Sequence, residues 1–132
     1  VTSIFSPIPF VAHSGATLPF KIDCDGLTDD DITALAAIVG SKLSFSRVYG
    51  VPYGGERLAA ALWRYSRFEG DAPSILIVDD VLTTGKSMLE ARQRYPGSSV
   101  TGLVIFSRID LAADPALSWI RPIFTLAPWI RK

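Results

Sequence analysis

The chain has 132 residues, enough for one domain with a substantial core and too short for two ordinary ones. Its 13 basic and 13 acidic side chains cancel, which argues against a nucleic-acid binder or a protein drawn to an anionic membrane by long-range charge. A hydrophobic fraction of 48% fits a folded globular protein, no apolar run reaches the ~18–20 residues that span a bilayer, and the single Cys24 excludes an internal disulfide or a cysteine metal cluster.

A lone cysteine also fits a reducing compartment, so a cytoplasmic location is expected, and the apolar start Val1–Val11 lacks the basic residues of a signal peptide. Pro7, Pro9 and Pro19 break the N-terminal region into extended pieces. Residues 1–27 are therefore read as an irregular layer, a small hood, over an α/β core of residues 28–110. Thr28 with Asp31 predicts a capping box, with Asp29, Asp30 and Asp31 in a first turn that favours acidic charge. Three consecutive side chains on a helix point in different directions, so this cluster reads as a helix start and not a metal site. Ile32, Leu35, Ala36 and Val39 follow at helical spacing, and Gly40 is the expected stop.

The next unit is a strand near Phe45–Gly50, a Pro52-Tyr53-Gly54-Gly55 turn and a helix from about Glu56 to Arg64. After it, Ser74–Asp80 reads as a strand buried on both faces, because its apolar run is continuous until two adjacent carboxylates end it. A hydroxyl- and glycine-rich turn leads into a helix through about Tyr95, which Pro96 and Gly97 stop, and Val100–Phe106 is a further buried strand. Residues 111–132 are assigned to a sheet edge or to the hood; Trp119–Leu126 is a strand in spite of Pro122 if it lies at an edge. The predicted fold is a single domain over residues 1–132, an open and mostly parallel α/β sheet flanked by helices.

The stretch from Ser74 to Ser87 carries the chemistry. In an open α/β sheet ligands collect beyond the carboxyl ends of the strands, which is where Asp79 and Asp80 stand. Thr83, Thr84, Gly85, Lys86 and Ser87 suit a phosphate at the start of a helix, through hydroxyls and unpaired amides. The two carboxylates are the wrong charge for phosphate and suit ribose hydroxyls or Mg²⁺. Together they point to a ligand with both a sugar diol and a phosphate. Each group also has a plain structural use, as a strand-end turn for the acids and a helix cap for the hydroxyls. A P-loop is excluded, since the glycine it needs five residues before its final one is here Asp80, whose charge would repel the wrapped phosphates.

The run Ile75-Leu76-Ile77-Val78-Asp79-Asp80-Val81-Leu82-Thr83-Thr84-Gly85-Lys86-Ser87 closely resembles the phosphoribosyl-diphosphate signature of the type I phosphoribosyltransferases. Lys86 departs from the orotate branch, which has a small residue there, and is similar to the purine-salvage branch. Two further stretches resemble the orotate branch. His13-Ser14-Gly15-Ala16-Thr17-Leu18-Pro19-Phe20-Lys21-Ile22-Asp23 is similar to its base-binding hood element, and Val48–Ala59 to its strand, pyrophosphate loop and following helix.

The resemblance implies transfer of 5-phosphoribosyl from phosphoribosyl diphosphate to orotate or a related nucleobase, with release of pyrophosphate and with Mg²⁺ as cofactor. Asp79 and Asp80 would hold the ribose hydroxyls. Val81, Leu82, Thr83, Thr84, Gly85, Lys86 and Ser87 would form the 5′-phosphate loop, and Pro52, Tyr53, Gly54 and Gly55 the pyrophosphate loop. Phe20 and Lys21 would stack on and pair with the base. Mg²⁺ would be held mainly by the donor's diphosphate and ribose rather than by a protein metal site. Arg57 is open between neutralising the leaving group and an ordinary surface position, His13 belongs to a loop rather than a catalytic relay, and the C-terminal aromatics either close the base pocket or simply pack.

The family also implies a homodimer, and a long mobile loop rich in lysine and histidine that covers the diphosphate. Here only Arg64–Pro73 connects the helix to the signature strand, with Arg64 and Arg67 as its basic residues. A partner subunit or another protein supplies the missing charge, or turnover is severely reduced, or the chain is a noncatalytic phosphoribosyl-diphosphate sensor or assembly subunit. A generic structural α/β domain is the remaining alternative.

Overall fold

The computed structural model describes residues 4–6, 10–11, 17–18, 21–68 and 72–125. The proline-broken N-terminal stretch contributes two-residue strands. Of these, β1 (Phe5–Ser6) pairs antiparallel with β4 (Lys21–Ile22), and β2 (Phe10–Val11) with β3 (Thr17–Leu18). A short 3-10 turn, Cys24–Gly26, leads from β4 to α1 (Asp29–Gly40). The capping box is formed as the sequence predicts: the Asp31 N–H donates to Thr28 Oγ1 at 3.0 Å and the Thr28 N–H to Asp31 Oδ2 at 2.9 Å. Gly40 ends α1 for a different reason from the one expected. Its φ is not positive; a Cβ there would lie 2.5 Å from Tyr65 Cγ, so glycine is set by ring packing and not by a left-handed stop.

The core sheet runs β5 (Arg47–Gly50), β6 (Ser74–Leu82), β7 (Ser99–Ser107), β8 (Ile120–Thr125), all parallel and in that spatial order. Between β5 and β6 lies α2 (Glu56–Leu62), and between β6 and β7 lies α3 (Lys86–Arg92). Strand alternation sends Leu76 and Val78 to one face, where they pack with Ile32 and Ala36 of α1 and Leu58 and Leu62 of α2. Ile75 and Ile77 go to the other, against Met88 and Ala91 of α3 and Leu117. Both faces of β6 are thus covered, which is why its sequence is an unbroken apolar run.

Two boundaries near the site differ from expectation. β6 does not end at its carboxylates but continues to Leu82, because Val81 pairs with Phe106 and Leu82 with Ser107 on β7. α3 stops at Arg92, and Tyr95 instead sets its ring edge-on to Tyr49 with centroids 6.1 Å apart. β8 is an edge strand, as Pro122 requires; its partner there is Val104. Among the described residues no helix is long and apolar enough to cross a membrane.

Candidate functional site

At the carboxyl end of β6 both acids fold back on their own backbone. Asp79 Oδ1 accepts the Asp80 N–H at 2.8 Å and Asp80 Oδ1 accepts the Val81 N–H at 2.7 Å. Both side chains are half-buried. Burial, and then the adjacent Asp80 carboxylate, push Asp79 up to about 8. At neutral pH the pair therefore has a proton to give up when a cationic or hydroxyl-bearing ligand arrives. Val81 and Leu82 lie in the strand, not in the turn, and Leu82 is buried in the core.

The chain then leaves the sheet through Thr83, Thr84 and Gly85. Gly85 is left-handed, with φ 88° and ψ −2°, and serves as the N-cap of α3. A Cβ there would stand 2.8 and 3.0 Å from the δ-methyls of buried Leu117, so the position needs glycine for its conformation and its space. Thr84 Oγ1 accepts the Lys86 N–H at 3.4 Å, and the Thr84, Lys86 and Ser87 side chains are exposed, with Thr83 half-buried. The turn thus carries three hydroxyls and an ammonium in the segment that follows the acid pair.

The Pro52–Gly55 turn follows β5, the strand adjacent to β6, and its Pro52–Tyr53 peptide is cis. Two glycines let it approach the signature strand. A Cβ on Gly54 would lie 2.5 Å from Asp80 Cγ and Oδ1, and one on Gly55 would collide with the Val78 carbonyl oxygen. Asp80 and the pyrophosphate-loop candidate are therefore in direct contact. They share a pocket also lined by the apolar Cys24, Ile32, Leu58 and Ile105 and by the charged Asp25 and Arg57. Tyr53, 87% exposed, lines it too.

Arg57 is not free at the surface. Its guanidinium donates to the Leu27 carbonyl at 2.9 Å and the Cys24 carbonyl at 3.5 Å, and pairs with Asp29 at 3.2 Å. Arg64 and Arg67 are at the wrong end of the sheet. The Arg67 N–H donates to the Phe45 carbonyl just before β5, and Ser46 bonds to Ser74 where β6 begins. The described part of that connection thus lies at the amino ends of the parallel strands, opposite the acids.

Phe20 and His13 lie outside the described residues. Lys21 is placed in β4 by its backbone. Of the C-terminal aromatics, Phe124 packs on Phe106 at 5.3 Å between centroids, and Phe106 meets Phe5 of β1 edge-on at 5.6 Å, which ties the N-terminal strands to the sheet. Trp119 donates to the Ala116 carbonyl and lies under Arg92. Trp129 is outside the described residues.

Cys24 and Asp25 were not legible as pocket residues, because no spacing links them to the signature. Arg108 was also missed. It follows the Val100–Phe106 strand, where a basic residue reads as solvated, yet it is 6% exposed and its N–H donates to the Leu82 carbonyl at the carboxyl end of β6.

No family model matches the chain, and no curated protein matches it in sequence. Solved structures do. An orotate phosphoribosyltransferase from Aeropyrum pernix is 28% identical, over 93% of this chain and 89% of that one, with a TM-score of 0.69. The Mycobacterium tuberculosis orotate phosphoribosyltransferase in complex with 5-phospho-α-D-ribosyl 1-diphosphate is 18% identical over 80% of each chain, with a TM-score of 0.62. An adenine phosphoribosyltransferase from Leishmania tarentolae is 12% identical over 83% of this chain and 78% of that one, with a TM-score of 0.64. The chain therefore has the fold of the type I phosphoribosyltransferases, with orotate enzymes prominent among the structures it resembles.

Proposed function

We propose that the chain is a phosphoribosyltransferase of the orotate type, which transfers 5-phosphoribosyl from phosphoribosyl diphosphate to a nitrogen of orotate or a related base. The observation that carries this reading is the contact of Asp80 with Gly54, which brings the glycine loop against the acid that immediately precedes the Val81–Ser87 segment. The turn would hold the 5′-phosphate through its hydroxyls and amides. Asp79 and Asp80 would accept hydrogen bonds from the ribose 2′- and 3′-hydroxyls. The glycine loop would take the diphosphate at close backbone range. As the C1–O bond to pyrophosphate breaks and the base nitrogen bonds to C1, positive charge grows on the ribose ring, and fixed carboxylates stabilise that state more than the ground state. The nitrogen's proton leaves to solvent and pyrophosphate carries away the bonding electrons, so neither carboxylate has to abstract a proton.

Among the described residues no three His, Cys, Asp or Glu side chains are grouped to hold a metal. The Mg²⁺ this chemistry implies would be carried by the donor's own oxygens, with Asp79 and Asp80 as the carboxylates able to meet it or its waters. Bound there, it would neutralise the leaving diphosphate.

The position of Arg64 and Arg67 supports a second reading, a noncatalytic phosphoribosyl-diphosphate sensor. Those two cations stand away from the crevice, and turnover would then need charge from elsewhere, as from a partner subunit in a homodimer. Purified protein incubated with donor, Mg²⁺ and a panel of pyrimidine and purine bases separates the two. Base-dependent pyrophosphate release, with orotate the best acceptor, is expected of the enzyme; donor binding without release from any base means the sensor.

A further inference from the structure

Arg57 occupies the first turn of α2, where the helix dipole disfavours a cation. Its position makes sense from the other side of the contact. The guanidinium spans the carbonyls of Cys24 and Leu27, the two ends of the turn that links β4 to α1. Asp29 adds an ion pair, but its carboxylate is fully exposed, so the charge-assisted bonds to the carbonyls carry the contact. The gripped turn is short, and its apolar anchor is Cys24, 6% exposed. It supplies Cys24 and Asp25 to the pocket that Asp80 and Gly54 also line.

We propose that Arg57 is a positioning residue, a clamp that holds the Cys24–Leu27 turn on the helix following the pyrophosphate-loop candidate and so fixes the part of the pocket lining that Cys24 and Asp25 supply beside Asp80. A planar fork suits this task. A lysine ammonium is a single point and cannot span both carbonyls and the Asp29 carboxylate. The clamp stands on its own contacts; only its consequence for the donor rests on the function proposed above.

The chain's single cysteine reports on the clamp directly. Cys24 should react slowly with a small disulfide reagent in the folded protein. Arg57→Gln and Arg57→Lys should both raise the labelling rate by roughly ten- to hundredfold, the scale of losing a hydrogen bond to a charged group. Asp29→Asn should stay within about twofold of wild type, since an exposed pair contributes little. Wild-type labelling rates in both Arg57 variants would overturn the clamp, as would a rate in Arg57→Lys that matches wild type while Arg57→Gln is fast. So would fast labelling that follows global unfolding in its denaturant dependence, because the contact would then be merely structural.

Phosphoribosyl diphosphate with Mg²⁺ should slow labelling of wild-type Cys24, and do so much less in Arg57→Gln. Donor binding by calorimetry without any protection of Cys24 would overturn the placement of this turn at the site. A wild-type protein that binds no donor would sink the proposed function and leave the rate differences of the free protein as the test of the clamp.

Discussion

Alanine at Gly54 is the smallest change that probes how the two loops meet. Its Cβ would stand 2.5 Å from Asp80 Cγ and Oδ1, and ordinary contact begins at 3.4 Å, so one side must yield by about 0.9 Å. Gly54 has no positive φ, so the backbone itself accepts alanine without strain. If the carboxylate yields, it gives up the 2.7 Å bond from the Val81 N–H; if the loop yields, the gap between Asp80 and the proposed diphosphate site widens. A displacement of about 1 Å at reacting groups costs on the order of 10²-fold in rate, or about 2.7 kcal/mol of transition-state stabilisation. Folding should lose less, about 1 kcal/mol or under, because the loop is at the surface and the core is untouched. Calorimetric donor binding and the kcat/KM of pyrophosphate release, beside a urea titration, measure the two quantities separately. A folded Gly54→Ala protein with donor affinity and turnover within about twofold of wild type would refute the idea that this contact sets the crevice.

Gly85→Ala and Gly97→Ala form a matched pair. Both glycines are left-handed, with φ 88° and 79°, but only Gly85 faces a neighbour, Leu117. Gly97→Ala should cost about 1 kcal/mol for conformation alone, and Gly85→Ala roughly 2–4 kcal/mol once overpacking is added; equal losses in urea titrations would contradict the packing account. Asp79 gives a pH signature. Raised from 3.8 to about 8, it holds in the folded state a proton that the unfolded chain releases near pH 4. Its contribution to stability is therefore full below about pH 4 and is lost as pH rises through about 8. The urea midpoint should fall over that range more steeply in wild type than in Asp79→Asn, and parallel profiles would contradict the shift. Donor binding at pH 7 should also release a proton, read as a dependence of the binding heat on buffer ionisation enthalpy that Asp79→Asn abolishes.

Local rules with a strong physical basis were legible in the residues. Thr28 and Asp31 announced their capping box, and the unbroken apolar run of Ile75–Val78 announced a strand covered on both sides. Pro122 restricted its strand to an edge, which is where it lies. The failures are all tertiary. The two carboxylates read as the end of β6, yet pairing with Phe106 and Ser107 on β7 carries the strand past them to Leu82. Gly40 reads as a helix stop because the ring of Tyr65, 25 positions on, has no trace in local sequence. The grip of Arg57 on two distant carbonyls and the burial of Arg108 were equally invisible, since a basic side chain at a helix start or after a strand reads as solvated. The acid pair, the Thr83–Ser87 turn and the glycine loop were each visible singly; that Asp80 touches Gly54 follows only from the adjacency of β5 and β6.

Titration of phosphoribosyl diphosphate with Mg²⁺ into wild type, Asp80→Asn and Thr84→Val, each checked for folding by circular dichroism, tests the central claim most directly. Wild type should bind the donor saturably. Both variants should stay folded and bind more weakly by roughly 1.5–3 kcal/mol, the scale of a lost hydrogen bond to a charged group. Equal affinity in all three proteins, or no binding by wild type at millimolar donor, would mean that the phosphoribosyl group does not sit between Asp80 and the Thr83–Ser87 turn.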